Sequence, residues 1–289
     1  MSVNKRSYQL LGLLVIVWGS SFLLIDRSLL FFSPEQVVGY RLVIGAITML
    51  VIALYYGKPL PRTITPWSHF FIYAVIGNMV PYLLIATGQL TITSGMAGLL
   101  MAFMPLVTLI LAHIFLPNDK LNRFKIIGFV IGISGVLFIL GPSINNGNYT
   151  FIGILLVLGA ACAYAINTII ASRLPPYDPI VSSTAVLIVA SLLSFCIWPD
   201  FFFFNLSSVP LISVISLILL GALPTGIAAL LYFTIINSDG ATFLSNINYL
   251  IPVVAFFLGA LVLGEEILLQ NILALLLIIS GIFISRFRT

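Results

Sequence analysis

Polar and aromatic side chains recur inside the most apolar parts of this chain. In the first half they are Trp18, Ser21, Asn78, Tyr82, Gln89 and Met101; in the second, Tyr164, Asn167, Tyr232, Asn246, Asn248 and Tyr249. Asn78 and Tyr82 stand four residues apart and Gln89 seven further on, the spacing of one helical stripe. Pro81 beside them frees a backbone carbonyl. Ser245, Asn246, Asn248, Tyr249 and Pro252 crowd two turns. These groups offer hydrogen bonds and aromatic faces without charge, the chemistry of a wall that holds a solute. The competing reading is helix–helix adhesion, worth about 0.6 kcal/mol per bond. Ser20 is expected to bond a carbonyl one turn back, and Met101 and Met104 serve either as adaptable lining or as packing.

Two groups carry charge or a proton. Arg41 has three readings: a partner for a solute carboxylate, a partner for Glu35 or Asp26, and a side chain that snorkels to the interface. His113 lies in an apolar stretch, and imidazole is the side chain most used for proton relay, so it is read either as a proton relay or as a hydrogen-bonded interfacial residue. No nucleophile–base pair and no paired carboxylates occur in these stretches, so catalysis has no machinery here. With 2 His and 2 Cys, neither a metal cluster nor a disulfide framework is expected. No cofactor motif occurs.

The elements that must position these residues follow from the distribution of charge. Only 7% of the 289 residues are Asp, Glu, Lys or Arg, against roughly 25% in soluble domains. The hydrophobic share is 61% and the mean hydropathy +1.21. The composition excludes a soluble globule and a disordered chain, and the small net charge of +4 gives nucleic acid no footprint. A crossing takes about 20 apolar residues. Two charge-free stretches, 63–118 and 126–172, are each long enough for two crossings. The first breaks near Gln89–Gly95, the second at Gly141-Pro142-Ser143. The resulting ten helices run 8–26, 35–56, 69–90, 94–116, 122–141, 150–172, 179–198, 210–236, 241–263 and 267–286. Continuous rather than alternating apolar runs favour helices over barrel strands. Residues 200–205, Asp-Phe-Phe-Phe-Phe-Asn, read as an interfacial aromatic strip.

With ten spans both termini share one side. That side collects Lys5, Arg6, Lys58, Arg62, Lys120, Arg123, Lys125, Arg173, Arg286 and Arg288; the other collects Arg27 and Arg41. By the positive-inside rule the termini are cytoplasmic. The first helix has no small-residue cleavage site behind it and reads as uncleaved.

The second half echoes the first at an offset of about 144–147 residues. Ser33-Pro34 answers Asp178-Pro179, Gly77 answers Gly221, Pro105 answers Pro252, and Ser134-Gly135 answers Ser280-Gly281. Leu116-Pro117-Asn118-Asp119 answers Leu263-Gly264-Glu265-Glu266. The halves divide as 1–142 and 143–289. Five helices per half is an odd number, so the second half enters the membrane inverted, the architecture of secondary transporters.

Trp18-Gly19-Ser20-Ser21-Phe22, Pro34 with Arg41, Pro105, Pro252, Leu263-Gly264-Glu265-Glu266 and Ser280-Gly281 together resemble the drug/metabolite transporter superfamily, specifically its EamA-type members. The resemblance spans the whole chain. One departure is Leu116-Pro117-Asn118-Asp119, where the family usually shows Leu-Gly-Glu. The resemblance implies an all-α membrane protein with a central cavity lined mainly by helices 1, 3, 4, 6, 8 and 9, with helices 5 and 10 peripheral. It also implies movement of amino acids and other small metabolites, often outward, across a bacterial inner membrane.

No Asp or Glu falls near the middle of a span. Ion-coupled transporters usually use such a carboxylate, so the expectation is uniport or exchange of small amphipathic or zwitterionic solutes. The alternative is a proton-coupled exporter of drugs or amines using His113. The partners expected are a small-molecule solute and the lipid bilayer. Gly128, Gly132 and Gly135 permit close helix approach, either inside the protomer or across a homodimer, and the sequence leaves both open.

Overall fold

A computed structural model describes residues 5–116, 121–145, 148–199, 209–244, 247–285 and 287; it describes the side chains of these except 139–145, 148, 149, 241, 242 and 249. The described residues form helices and contain no strand. They are α1 (Lys5–Leu29), α2 (Pro34–Tyr55), α3 (Ile64–Gly88), α4 (Ser94–Phe115), α5 (Arg123–Asn145), α6 (Asn148–Ala171), α7 (Pro179–Ile197), α8 (Leu211–Gly240), α9 (Ile247–Leu263) and α10 (Leu269–Ile284). Seven of these segments are long and apolar enough to cross a membrane: α1 to α4, Thr150–Ala171 of α6, α7 and α8. Large apolar side chains such as Leu54, Ile64 and Leu261 stand exposed on the outside, as a lipid-facing surface requires.

The starts of α2 and α7 explain the first of the sequence echoes. Ser33 caps α2: its hydroxyl accepts from Gln36 N, and Gln36 Oε1 accepts from Ser33 N at 3.0 Å. Asp178 caps α7, its carboxylate accepting from Ile180 N at 2.9 Å and Val181 N at 3.3 Å. Both caps precede a proline at the first helical position, where the missing N–H costs nothing.

Some boundaries differ from expectation. α3 starts at Ile64 rather than 69, because Pro66 falls in the first turn, where an N–H has no helical partner in any case. α5 continues through Gly141-Pro142 to Asn145 rather than ending at 141. Pro142 has no N–H to offer the carbonyl of Phe138 one turn back. Gln270 of α10 supplies the missing donor, its Nε2 bonding Phe138 O at 2.8 Å. α8 runs past 236 to Gly240, whose φ of +82° turns the chain out of the helix. The aromatic strip at 200–205, along with Pro117, Asn118 and Asp119, lies outside the described residues.

Packing is paired. α2 packs on α7, α4 on α9 and α5 on α10; α1 packs on α9 as α6 packs on α4, and α2 packs on α8 as α7 packs on α3. Leu42, Met49, Phe70, Leu100 and Leu187 lie at the centre of the core. The glycine stripe of α5 is spent inside the protomer. A Cβ on Gly128 would meet the backbone of Gly281 and Ser285 in α10, one on Gly132 would meet Leu106, and one on Gly135 would meet Ala274 O and Ile278. The stripe therefore supplies no argument for a homodimer.

The helix ends gather on two faces. One holds the start of α1 and the connections tied by Ser7 Oγ to Asp239 (2.8 Å), Lys58 to Asp178 (2.8 Å) and Asn237 to Tyr177 O (3.0 Å). The other holds Arg27 with Val262 O (3.5 Å) and Ser213 with Arg27 O (2.8 Å).

Candidate functional site

Regular helix fails in several elements where they converge. The regular pattern of α1 is interrupted at Ser20, where Ser20 Oγ donates to Val17 O (2.9 Å) and Ser21 Oγ to Trp18 O (2.6 Å), local back-bonding that competes with the helix. α3 opens into a wide π turn at Val75–Met79, and α8 does the same at Gly221–Ile227 around Pro224. α4 tightens at Met101–Phe103 just before Pro105, and α9 carries Pro252 within its span. Such breaks cluster at functional sites because they release backbone carbonyls and re-aim side chains. Here side chains take up those carbonyls: Asn78 Nδ2 donates to Tyr73 O (2.9 Å), Trp18 Nε1 to Pro224 O (3.1 Å) and Thr225 Oγ1 to Leu220 O (2.9 Å).

Between these breaks lies a cavity of about 210 Å³, smaller than the roughly 300–1,000 Å³ clefts that take drug-sized ligands. Its lining comes from α1 to α4, α6 to α9 and Leu244. None of it comes from α5 or α10. α2 contributes Arg41 and α7 contributes Val186 and Leu187, two elements beyond those the resemblance implied. Trp18, Ser21, Asn78, Tyr82, Met101, Tyr164, Asn167, Tyr232 and Asn248 all line it. Trp18 stacks obliquely on Tyr232 at 5.8 Å. Asn246, and the side chain of Tyr249, lie outside the described residues.

Two expected residues stand elsewhere. Gln89 is absent from the lining: its Nε2 donates to Phe22 O at 2.9 Å, tying α3 to α1. The stripe from Asn78 to Gln89 is interrupted by the π turn, which rotates the two ends of α3 relative to each other. His113 is also remote from the cavity. Its Nδ1 accepts the backbone N–H of Leu121 at 3.2 Å, fixing the chain between α4 and α5.

Among the described residues the lining contains no Asp, Glu, Lys or His and one charged residue, Arg41. Arg41 is 3% exposed, so it does not snorkel. Nor does it pair with Glu35, which bonds Ser33 Oγ at 2.8 Å near the other face; among the described residues the one ion pair is Lys58–Asp178. Arg41 Nε donates to Thr225 Oγ1 at 3.0 Å, and the guanidinium carbon lies 3.6 Å from the Tyr82 ring centroid. A desolvated cation–π contact contributes about 2 kcal/mol, and a hydrogen bond from a charged group about 1.5–3 kcal/mol. Burying an ion costs several kcal/mol, so these contacts offset only part of the penalty. A second unmet group is Asn167 Oδ1, which is buried without a hydrogen-bond partner. The Asn167 amide is pressed on Gly77 of the π turn, where a Cβ would lie 2.8 Å from it.

Thr225, which stands beside Pro224 in the sequence as a polar group of α8, lines the cavity, as do Tyr73 and Phe233, which no sequence pattern singled out. Thr225 sits beside Pro224 in an apolar run, and its pairing with Arg41 across 184 positions has no sequence signal beyond the proline that opens the π turn.

The two ends of the cavity differ. Toward the face holding the α1 start, Thr168, Phe233, Ile236 and Asn248 are half-buried beside the buried Leu244 and Ile247, whereas toward the opposite face Ser21, Phe22, Ile25 and Ile85 are all buried. At that opposite face the Glu265 carboxylate accepts from Ser94 N (2.7 Å) and Gly95 N (2.8 Å), the first residues of α4. A carboxylate at a helix N-terminus satisfies orphan donors and the helix dipole together. This contact gives Glu265 its physical role, clamping the α9–α10 connection onto α4.

A family model described as the EamA-like transporter family matches the chain twice, over residues 6–141 and 151–287. An uncharacterized transporter of Archaeoglobus fulgidus is 28% identical over 280 residues, covering 96% of this chain and 98% of that protein. The uncharacterized transporter YoaV of Bacillus subtilis is 27% identical over 94% of each. A Salmonella typhimurium protein named a probable amino-acid metabolite efflux pump is 23% identical over 99% of this chain and 96% of its own length. One solved structure, 20% identical, superimposes with a TM-score of 0.68 over 98% of both chains, which shows a shared fold.

Proposed function

This chain belongs to the EamA-like transporter family, a multi-pass membrane protein and a transporter rather than an enzyme, and on that premise we propose that it moves small amphipathic or zwitterionic metabolites by alternating access. The observation that carries this reading is the pair of π turns, at Val75–Met79 in α3 and Gly221–Ile227 in α8. They begin 146 residues apart, at the offset of the sequence repeat, and both border the cavity.

We read the chain as ten transmembrane helices in two inverted five-helix repeats, 1–142 and 143–289, with cytoplasmic termini in a bacterial inner membrane. The double family match and the exchangeable helix pairings support the repeat. The Lys and Arg distribution supports the sidedness. On that orientation the half-buried end of the cavity faces the cytoplasm, and the Glu265 clamp closes the external end.

The substrates proposed are amino acids or related compounds, in the export direction. The similarity to an amino-acid metabolite efflux pump and the modest cavity support that class. The absence of a carboxylate among the lining residues favours uniport or exchange over ion coupling. His113, occupied with a backbone N–H, offers proton coupling no path to the cavity. In proteoliposomes, entry of labelled amino acid is expected to saturate and to be stimulated by unlabelled amino acid inside. Flux that rises linearly with concentration contradicts the proposal.

A further inference from the structure

We propose that Arg41 is the carboxylate anchor of the transport site, held in place by Thr225 and Tyr82, so that the solutes this protein accepts must carry a carboxylate group. This rests on the transport reading above and names the chemistry that site selects.

Among the described residues Arg41 is the one charged group lining the cavity, it is buried, and no carboxylate balances it. Its Nε is committed to Thr225 Oγ1 at 3.0 Å, and the Tyr82 ring packs on the guanidinium face at 3.6 Å. A guanidinium held at Nε and on one face is oriented, and its two terminal nitrogens match a carboxylate's two oxygens as parallel donors. The partners come from α2, α3 and α8, elements of both halves of the chain, so an anion bound there bridges the halves. A structural arginine normally ends on a carboxylate or on several carbonyls; this one ends at a cavity.

The rest of the lining describes the remainder of the solute. Phe22, Ile25, Ile85, Leu187 and Ile251 offer an apolar body a dry contact surface. The Asn167 Oδ1 acceptor, buried without a partner, suits an ammonium or amide N–H. Among the described residues no acidic side chain lines the cavity to hold a cation lacking a carboxylate. The site therefore selects for the acid and against the corresponding ester and amine.

The test is competition for L-leucine counterflow in proteoliposomes by four probes: L-leucine, 4-methylpentanoate, leucine methyl ester and 3-methylbutylamine. Leucine is expected to compete strongly and 4-methylpentanoate measurably, while ester and amine compete at least about 10-fold less well, the fold-change that follows from losing a charge-assisted hydrogen bond. R41Q is expected to raise the KM for leucine about 10- to 100-fold and to erase the difference between acid and ester. R41K restores the charge but not the fork, and is expected to fall between the two. T225V is expected to weaken leucine without changing its rank against the ester. Equal competition by ester or amine in the wild-type protein overturns the anchor while leaving transport intact. R41Q lowering flux of acid and ester alike overturns it in favour of a purely structural arginine. Saturable flux of no probe in the wild-type protein contradicts the transport reading itself, and the anchor falls with it.

Discussion

At the scale of single residues, polar groups in these apolar helices divide by whether their hydrogen-bonding needs are met. Gln89 meets part of its need inside the protein, on the Phe22 carbonyl. Removing it loses a buried hydrogen bond between α3 and α1, at a cost of about 0.5–1.5 kcal/mol. Q89L is therefore expected to lower the Tm of the solubilised protein while leaving the KM for its solute unchanged. Asn167 has an unmet Oδ1, so N167A is expected to keep the Tm and to raise the KM severalfold, as measured by counterflow. His113 accepts one backbone N–H, and H113Q is expected to leave the pH profile of transport unchanged. All three were visible in the sequence as polar residues in apolar runs. Periodicity alone could not sort them, because the π turn at Val75–Met79 shifts the register between Asn78 and Gln89. Arg41 was equally visible, but its depth depends on α2 being packed between α7 and α8, which no local pattern encodes.

At the scale of elements, caps and close contacts set where helices start and how they meet. Burial pushes the Asp178 carboxyl up, but the Lys58 ammonium and the backbone N–H groups of Val181 and Ile180 outweigh it and hold the pKa below its ordinary value. A lowered carboxylate stabilises the fold above the unfolded-state pKa of about 3.9, and that stabilisation is lost as pH falls through the folded value. D178A is expected to cost about 1 kcal/mol at neutral pH, the usual value of an N-cap. The deficit relative to the wild-type protein should hold constant down to about pH 5 and shrink below about pH 4, as followed by thermal unfolding across pH. Glu265 clamps α4 in a similar way: E265A leaves the N–H groups of Ser94 and Gly95 without acceptors, and a loss of about 1–3 kcal/mol per group is expected. G77A is expected to displace the Asn167 amide and to impair transport more than stability. The starts of α2 and α7 were legible because Ser-Pro and Asp-Pro state a cap and a first turn together. The continuation of α5 through Pro142 was not, since it depends on Gln270 from the other half of the chain.

At the scale of the whole molecule, the repeat is the feature both sequence and structure express. The matched Gly and Pro positions of the two halves fall at the π turns, at the prolines of α4 and α9, and at the glycine contact between α5 and α10. A cavity half-buried at one end and clamped at the other fits one state of the alternating access proposed above. The clamped end has a defined chemistry, the Glu265 carboxylate on the first residues of α4, whereas Asp119, at the corresponding place in the sequence repeat, lies outside the described residues. With no carboxylate among the described lining residues, exchange should proceed without a pH or sodium gradient.

Alternating access is tested most directly by chemical accessibility at the two ends of the cavity. I236C and I25C are introduced separately after Cys162 and Cys196 are replaced by serine, and each is probed with a membrane-impermeant maleimide from either side. Without solute, the cysteine at position 236 should react from the face that bears the α1 start, and the one at position 25 should be protected from the other. Leucine added to drive exchange should raise labelling at position 25 and lower it at position 236. Simultaneous reaction at both positions, or no reciprocal change when solute is added, would contradict the account.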